Sequence, residues 1–338
     1  MYPFFRSLLF RLSPEQVHQL TLKLMRLTGQ IGLLNSLIRS FYAVPDKPVQ
    51  VFGLNFRNPV GLAAGYDKDG IAWRGLTTLG FGHIEIGTVT PKPQPGNPQP
   101  RLFRLPEDRA IINRMGFCGL GSDFVASQMV GKRPEGIVLG VNLGKNKVTP
   151  LEKAADDYQV LVKVFAPLAD YLAINISSPN TVGLRRLQER AALRELMQVI
   201  SSERQNQEAY LHRKVPVLVK LAPDLNDEGL DDALEVLLET GMDGVIATNT
   251  TIQRQELHSP LSGEIGGLSG APLSQSSTLM IKKIYHKTSG KLPIVGVGGI
   301  MDARGALEKI EAGASLIQLY TGLIYGGPGL VREICRHL

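Results

Sequence analysis

A group of hydroxyl and amide side chains directly follows an apolar run near the middle of the chain. Residues 171–174 are Tyr-Leu-Ala-Ile, and residues 175–181 are Asn-Ile-Ser-Ser-Pro-Asn-Thr. Apolar residues bounded by turn formers indicate a strand buried on both faces. Pro179 cannot donate to a strand ladder, so the strand should end by Ser178. Strand ends of parallel α/β folds often carry chemistry, but the same residues are also common in turns, and both interpretations stay open here.

Further polar stretches follow other apolar runs, and together they indicate the type of chemistry. They are Ala64–Lys68, Gly87–Thr90, Asn142, Lys220, Thr248–Thr251, Gly296–Gly299 and Tyr320–Gly322. Amides, hydroxyls and lysines dominate, without a histidine, a carboxylate pair or a thiol. This argues against hydrolysis by paired acids or by a Ser-His-Asp relay. The set suits a flat, polar, anionic ring, although a lysine Schiff base of an aldolase remains an alternative.

The elements that must position these residues alternate between short strands and helices from residue 45 onward. We predict strands at 60–63, 83–87, 137–142, 171–176, 217–221, 244–248, 294–296 and 316–319. Helical patterns lie between most of them, for example at 150–167, 184–202, 227–239 and 302–312. Eight such units close a (β/α)8 TIM barrel, whereas a doubly wound sheet normally needs fewer. Glycine-rich loops after the seventh and eighth strands then predict a phosphate-bearing cofactor.

Composition fits one barrel with a small appendage. The chain has 338 residues, of which 43% are hydrophobic and 20% charged, as in a globular protein with a full core. The two cysteines, Cys118 and Cys335, have no disulfide or metal-ligand spacing, so we predict a reducing compartment and no metal site. We place the domain boundary between an appendage, residues 1–44, and a barrel domain, residues 45–338.

The appendage is predicted to be amphipathic and helical. Ser13-Pro-Glu-Gln16 is a capping-box sequence that starts a helix reaching about Leu27, and residues 31–41 repeat the apolar helical spacing. Residues 1–48 contain six Lys or Arg and two Asp or Glu, a bias that favours an anionic membrane surface. Nucleic acid is disfavoured because no basic run is present. The alternative is that both helices simply pack on the barrel.

A membrane interaction would use the apolar residues of this segment in two ways. We expect Phe4, Phe5 and Phe10 to insert into lipid while Arg6 and Arg11 meet headgroups. The helix pair could also form an apolar path for a lipid-soluble molecule, with walls from Val17, Leu20, Leu24, Leu34, Leu37 and Phe41.

An ordered series of motifs resembles the class 2, quinone-dependent dihydroorotate dehydrogenases. The motifs are Asn58–Gly65, Asp67–Asp69, Ile84–Thr90, Asn113–Phe117, Asn142–Asn146, Asn175–Thr181, Lys220–Asp224, Ala247–Thr250, Gly266–Gly270 and Gly296–Ile300. The resemblance covers nearly the whole chain. It implies oxidation of (S)-dihydroorotate to orotate in pyrimidine (UMP) biosynthesis. It also implies one FMN per chain, reoxidation by ubiquinone or menaquinone, a monomer, and a peripheral location on the cytoplasmic side of the inner membrane.

The resemblance also assigns roles to individual residues. It implies FMN contacts from Ala64, Gly65, Tyr66, Asp67, Lys68, Thr88, Asn142, Asn175, Lys220, Thr248, Gly270, Gly299, Tyr320 and Thr321. It implies substrate contacts from Lys68, Asn113, Arg114, Met115, Gly116, Phe117, Asn175, Asn180, Asn249 and Thr250. Ser178 would be the catalytic base, and strand alternation places Ser177 on the opposite face. One departure is Cys118-Gly119, where the family often has two asparagines.

Overall fold

The structure, a computed structural model, describes residues 2–254 and 256–338. Its strands are β1 Val49–Val51, β2 Leu54–Phe56, β3 Val60–Leu62, β4 His83–Val89, β5 Leu102–Leu105, β6 Ala110–Asn113, β7 Val138–Leu143, β8 Tyr171–Asn175, β9 Val217–Leu221, β10 Gly244–Ala247, β11 Gly267–Gly270, β12 Ile294–Val297 and β13 Leu316–Leu319. Its helices are α1 Tyr2–Leu9, α2 Pro14–Gln30, α3 Gly32–Phe41, α4 Trp73–Leu76, α5 Gly121–Met129, α6 Ala154–Phe165, α7 Arg190–Leu211, α8 Asp227–Glu239, α9 Ser274–Thr288, α10 Ala303–Glu311, α11 Thr321–Gly326 and α12 Leu330–His337.

Eight of the strands form a closed parallel barrel, which confirms the predicted (β/α)8 architecture. Around the barrel the order is β3, β4, β7, β8, β9, β10, β12 and β13, and β13 pairs with β3 to close it. Each strand corresponds to a predicted one, and no end differs by more than two residues. The strands are buried on both faces because helices cover the outside and side chains fill the inside, as the apolar runs indicated.

Glycines on two strands make room for large side chains inside the barrel. A Cβ atom on Gly61 would lie 2.0 Å from His83 Nε2, and one on Gly140 would lie 2.1 Å from the Tyr171 ring. The hairpin β1–β2 packs Val51 and Phe56 into the same interior. The barrel interior is therefore a filled core of alternating small and large residues.

Two short antiparallel additions were not predicted from the sequence. One is the hairpin β1–β2, and the other is a three-stranded sheet in the order β11, β6, β5. Asn113 at the end of β6 pairs with Gly267 at the start of β11, so the sheet brings a predicted substrate-binding residue beside the loop after β10. The predicted helix 184–202 is also divided, because Glu189 has extended backbone angles between a 3-10 turn and α7.

The N-terminal segment contains the two predicted helices and one more, α1. The capping box is present: the Gln16 N–H donates to Ser13 Oγ, and the Ser13 N–H donates to Gln16 Oε1, both at 3.3 Å. Helix α2 packs closely on α4, since a Cβ atom on Gly75 would lie 1.8 Å from Met25 O. Among the described residues, no helix has the length and apolar character needed to cross a bilayer.

Candidate active site

One cavity at the C-terminal ends of the barrel strands gathers most of the predicted site residues. The predicted site residues that line it are Ala64, Gly65, Lys68, Thr88, Asn113, Met115, Gly116, Phe117, Asn175, Ser178, Asn180, Lys220, Thr248, Asn249, Thr250, Gly270, Gly299, Tyr320 and Thr321. The loops after the barrel strands meet here because parallel strands all point their carboxyl ends the same way. Residues far apart in the chain thus share one site.

Four of the predicted site residues lie outside the cavity wall. Asn142 is buried behind Thr88, and Tyr66 lines a second cavity. Asp67 accepts hydrogen bonds from the backbone N–H groups of two residues in the following turn, and burial raises its pKa to about 6. Arg114 pairs with Glu264 at 2.6 Å. These four residues are not part of the cavity wall, and their contacts with FMN or substrate stay predictions.

A hydrogen-bonded chain of amides and hydroxyls lies in and directly behind one wall of the cavity. Thr88 Oγ1 donates to Asn142 Oδ1 at 2.6 Å, and Asn175 Nδ2 donates to Thr88 Oγ1 at 3.0 Å. Asn249 Nδ2 donates to Asn175 Oδ1 at 3.1 Å and to Ser177 Oγ at 2.9 Å. These bonds connect residues from four strands, so the orientation of each amide is set by its neighbours.

Ser178 lines the cavity and Ser177 does not, although β8 ends at Asn175 and both serines lie beyond the strand from which the difference was predicted. Ser178 Oγ accepts a hydrogen bond from the Asn180 N–H at 3.2 Å. Among the described residues, neither an imidazole nor a carboxylate is bonded to this hydroxyl. Ser177 is fully buried and joins the amide chain, because its hydroxyl accepts from Asn249 and donates to Asn175 Oδ1 at 3.3 Å. No local sequence pattern indicates this contact with two site residues.

Two lysines bring positive charge to the cavity. Lys68 Nζ donates to Gly65 O at 2.7 Å, and burial lowers its pKa. Burial also lowers the pKa of Lys220, an effect that nearby Glu85 partly opposes. Lys220 as a whole residue is 5% exposed and lines the cavity, and among the described residues no side chain or carbonyl accepts a hydrogen bond from its ammonium. A buried cation without an acceptor calls for an electron-rich ligand group in the cavity.

Glu85 is a buried carboxylate beneath the cavity that sequence reasoning missed. It accepts hydrogen bonds from Asn142 Nδ2 at 2.8 Å, from Tyr171 Oη at 3.0 Å and from Gln318 Nε2 at 2.9 Å. Burial and this carboxylate raise the Tyr171 pKa well above its usual value. A signal was available: Glu85 lies between Ile84 and Ile86, and Gln318 between Ile317 and Leu319, the same apolar flanking that drew attention to Lys220.

A second, mainly apolar cavity of about 670 Å3 lies between the N-terminal helices and the barrel. Val17, Leu37 and Phe41 line it as expected, whereas Leu20, Leu24 and Leu34 do not. The prediction was wrong for those three, and two of them, Leu20 and Leu24, are exposed at 42% and 50%. Its other lining residues include Tyr2, Phe10, His18, Arg104, Tyr66 and Tyr320.

Tyr320 connects the two cavities. It lines both of them, and its ring lies edge-on to the Tyr66 ring with the centroids 5.9 Å apart. His18 Nε2 contacts Tyr66 O at 2.6 Å, and burial lowers the His18 pKa to about 4. Tyr320 is therefore common to the linings of the two cavities, and the His18 imidazole, held neutral by burial, lies beside its partner Tyr66.

The Phe-rich N-terminus is only partly exposed. Phe4 and Phe5 are exposed, as predicted. Phe10 instead packs on Tyr325, with ring centroids 5.4 Å apart, and under the Arg104 guanidinium at 4.5 Å. The expectation that Phe10 inserts into lipid is thus wrong, because its ring is held against the barrel.

Comparisons with known proteins place this fold and site in context. The family model described as "Dihydroorotate dehydrogenase" matches residues 48–338. The Azotobacter vinelandii protein named "Dihydroorotate dehydrogenase (quinone)" is 52% identical over 98% of this chain and 95% of its own length. A Pseudomonas putida protein of the same name is 51% identical over 98% of this chain and 97% of its own length. The crystal structure of ligand-free DHODH from Eimeria tenella matches with a TM-score of 0.87 and 41% identity, over 96% of this chain and 94% of that chain.

Proposed function

The chain belongs to the dihydroorotate dehydrogenase family, and from this membership we propose that it oxidises (S)-dihydroorotate to orotate in pyrimidine biosynthesis, with FMN as cofactor and a membrane quinone as the final acceptor. Dihydroorotate loses a proton from C5 and a hydride from C6, and the quinone gains two electrons and two protons. The observation that carries the proposal is that Ser178, Lys68 and Lys220 line one cavity with the amides of Asn175 and Asn249, which are bonded to each other.

The polar groups of this cavity fit a flavin. Lys220 presents an ammonium without a protein acceptor among the described residues, and Gln318 Oε1 is buried without a partner. The ring nitrogens and carbonyl groups of an isoalloxazine can satisfy both. Gly298 and Gly299 line the same cavity and suit a phosphate, because glycine lets the backbone come close to an anion. When bound, FMN supplies the hydride acceptor and passes the electrons to the quinone.

The protein's own residues position the substrate and move its proton. Lys68 and the amides of Asn113, Asn180 and Asn249 line the cavity and would hold the anionic substrate. Two of these amides orient each other, because Asn180 Nδ2 donates to Asn113 Oδ1 at 3.1 Å. Ser178 Oγ would accept the C5 proton. Burial of this wall excludes water and strengthens each polar contact with the substrate.

The apolar cavity is the proposed quinone site. It reaches Tyr320, which also lines the polar cavity, so the proposed quinone and flavin sites share this one side chain. We propose residues 1–44 as the quinone-access and membrane-binding appendage and residues 45–338 as the catalytic domain. Phe4, Phe5, Leu33, Leu37 and Phe41 are exposed on this appendage and fit a peripheral membrane contact.

A spectroscopic experiment tests the proposed reaction directly. The purified protein should be yellow with one flavin per chain, and anaerobic dihydroorotate should bleach the flavin band. A decyl-chain quinone added next should restore the band with formation of quinol. A colourless protein, or a flavin that dihydroorotate leaves oxidised, would contradict the proposal; a colourless protein that forms a borohydride-trapped imine would favour the aldolase alternative.

A further inference from the structure

One arginine next to the polar cavity is bonded through all three of its guanidinium nitrogens. Arg185 Nε donates to Ser177 O at 3.1 Å, Nη1 donates to Asp224 Oδ2 at 2.7 Å, and Nη2 donates to Thr250 O at 3.0 Å. The guanidinium is planar, so these three directions are rigidly related. The three acceptors are therefore held at a fixed spacing by one side chain.

Asp224 extends the same set of contacts. Its Oδ1 accepts from Thr251 Oγ1, and its Oδ2 accepts from the Ile252 N–H at 3.3 Å as well as from Arg185. The pair is partly buried, with 23% and 13% of the two side chains exposed. Solvent therefore screens it less than it screens an ion pair on the surface.

These contacts join the loops that follow three neighbouring barrel strands. Ser177 follows β8, Asp224 follows β9, and residues 250–252 follow β10. Two of these loops carry cavity-lining groups: Ser178 is next to Ser177, and Asn249 is next to Thr250. Arg185 and Asp224 do not line the cavity themselves, so substrate recognition alone does not explain them.

We propose that Arg185, paired with Asp224, is a positioning residue that fixes Ser178 relative to Asn249 and Thr250 during proton abstraction. The inference rests on the proposed function, in which Ser178 Oγ takes the C5 proton while the hydride leaves C6. Two of the Arg185 hydrogen bonds are accepted by main-chain carbonyls, Ser177 O next to Ser178 and Thr250 O next to Asn249. These bonds therefore fix the position of the backbone that carries the site side chains. A shift of about 1 Å in such a group lowers the rate by roughly 10²-fold.

The test uses conservative variants of the FMN-bound enzyme. Arg185→Lys keeps the charge but cannot bond three diverging acceptors, and Asp224→Asn keeps the shape but removes the charge. We expect both to slow flavin reduction at saturating dihydroorotate by roughly 10- to 100-fold. Flavin content and the rate of reoxidation by quinone should stay at the wild-type level, because the apolar cavity is lined by other residues.

Two matched controls separate positioning from a general loss of stability. Arg186→Lys changes the neighbouring residue, whose side chain is 72% exposed and pairs only loosely with Glu189 at 3.7 Å. Arg204→Lys changes a similar clamp at the opposite end of the barrel, where Arg204 Nη1 donates to Asp243 Oδ2 at 2.8 Å and to Gly241 O at 3.0 Å. Both controls should reduce the flavin at the wild-type rate, even if Arg204→Lys lowers the melting temperature.

A rescue experiment gives a second readout. In Arg185→Ala, free guanidinium ion should partly restore flavin reduction, because the ion can occupy the space between the three acceptors. The same ion should not accelerate the wild-type or Arg204→Ala enzymes.

The outcomes distinguish this inference from the proposed function. If dihydroorotate fails to reduce the wild-type flavin, the proposed function is wrong and the inference fails with it. If the wild type is reduced but Arg185→Lys is reduced equally fast, only the positioning role is wrong. Equal slowing by Arg185→Lys and Arg204→Lys would also overturn it, because the effect would then follow stability.

Discussion

The proposed reaction depends on a serine hydroxyl that no basic side chain among the described residues activates. Ser178 Oγ accepts one hydrogen bond, from the Asn180 N–H, and among the described residues no basic side chain is bonded to it. A hydroxyl is a weak base unless its own proton can leave. Precise placement and exclusion of water therefore have to supply much of the rate, which is why the surrounding amide chain and the Arg185 contacts matter.

Removing this hydroxyl tests its assignment. We predict that Ser178→Ala keeps FMN and binds orotate normally but slows flavin reduction by dihydroorotate at least roughly 10²-fold, the lower range of general-base effects. Stopped-flow absorbance at saturating dihydroorotate measures the rate, and the change in the flavin spectrum on adding orotate measures binding. A rate near that of the wild type would remove Ser178 from the role of base.

Ser177→Ala provides the contrast for this experiment. In the wild type, the Ser177 hydroxyl accepts a hydrogen bond from Asn249 Nδ2 at 2.9 Å, and Ser177 does not line the cavity. Loss of this bond should loosen Asn249 and weaken orotate binding, with a much smaller effect on reduction at saturation. Strand alternation alone suggested that this substitution would be mild; the tertiary contacts indicate a measurable binding defect.

At the scale of elements, the N-terminal helices enclose the apolar cavity without contributing to the polar one. Helices α1, α2 and α3 provide Tyr2, Val17, Leu37 and Phe41 to its lining, whereas the polar cavity is lined by barrel loops and the three-stranded sheet. The two half-reactions should therefore separate along the chain.

Deleting residues 1–42 tests this separation. We expect the truncated protein to keep flavin reduction by dihydroorotate but to lose liposome binding and efficient reduction of a long-tailed quinone. A short water-soluble acceptor such as dichlorophenolindophenol is the control, because it needs no apolar path. If the truncated protein reduces the long-tailed quinone in liposomes at the full-length rate, the helices only pack on the barrel and the membrane assignment is wrong.

At the scale of the whole molecule, buried titratable groups in the barrel make stability depend on pH. His83 is fully buried at the start of β4, neither ring nitrogen has a hydrogen-bond partner among the described residues, and burial lowers its pKa to about 3. An unfolded histidine takes up a proton near pH 6.5. The unfolded state thus binds more protons between pH 6.5 and 3, so acid favours unfolding across that window.

The variant His83→Leu isolates this contribution. Its free energy of unfolding should fall less steeply than that of the wild type as pH drops from 6.5 to 4, by up to about 1.4 kcal/mol per pH unit. Asp67, whose pKa is raised to about 6, acts in the opposite direction but is present in both proteins. Urea titrations at each pH measure the difference, with the exposed His286→Leu as control. Parallel curves for wild type and His83→Leu would contradict the prediction.

The sequence alone determined the barrel and most of the cavity. Strand burial and helical spacing are local patterns, so eight runs such as residues 171–174 could be recognised without knowing their partners. Once parallel strands were inferred, the polar residues at their C-terminal ends had to meet at one end of the barrel. The motif series then indicated the family. Ser178, Lys220 and Asn249 could be placed there in this way.

Only the tertiary structure decided how these residues are held. Glu85 and Gln318 are 233 residues apart, and Arg185 bonds groups after three different strands. Such contacts depend on side-chain direction and on the register of strands around the barrel, for which adjacent residues carry no signal. The same reason explains why Phe10 packs on the barrel and why the Arg114 side chain lies outside the cavity wall: each contacts a partner distant in sequence, Tyr325 and Glu264.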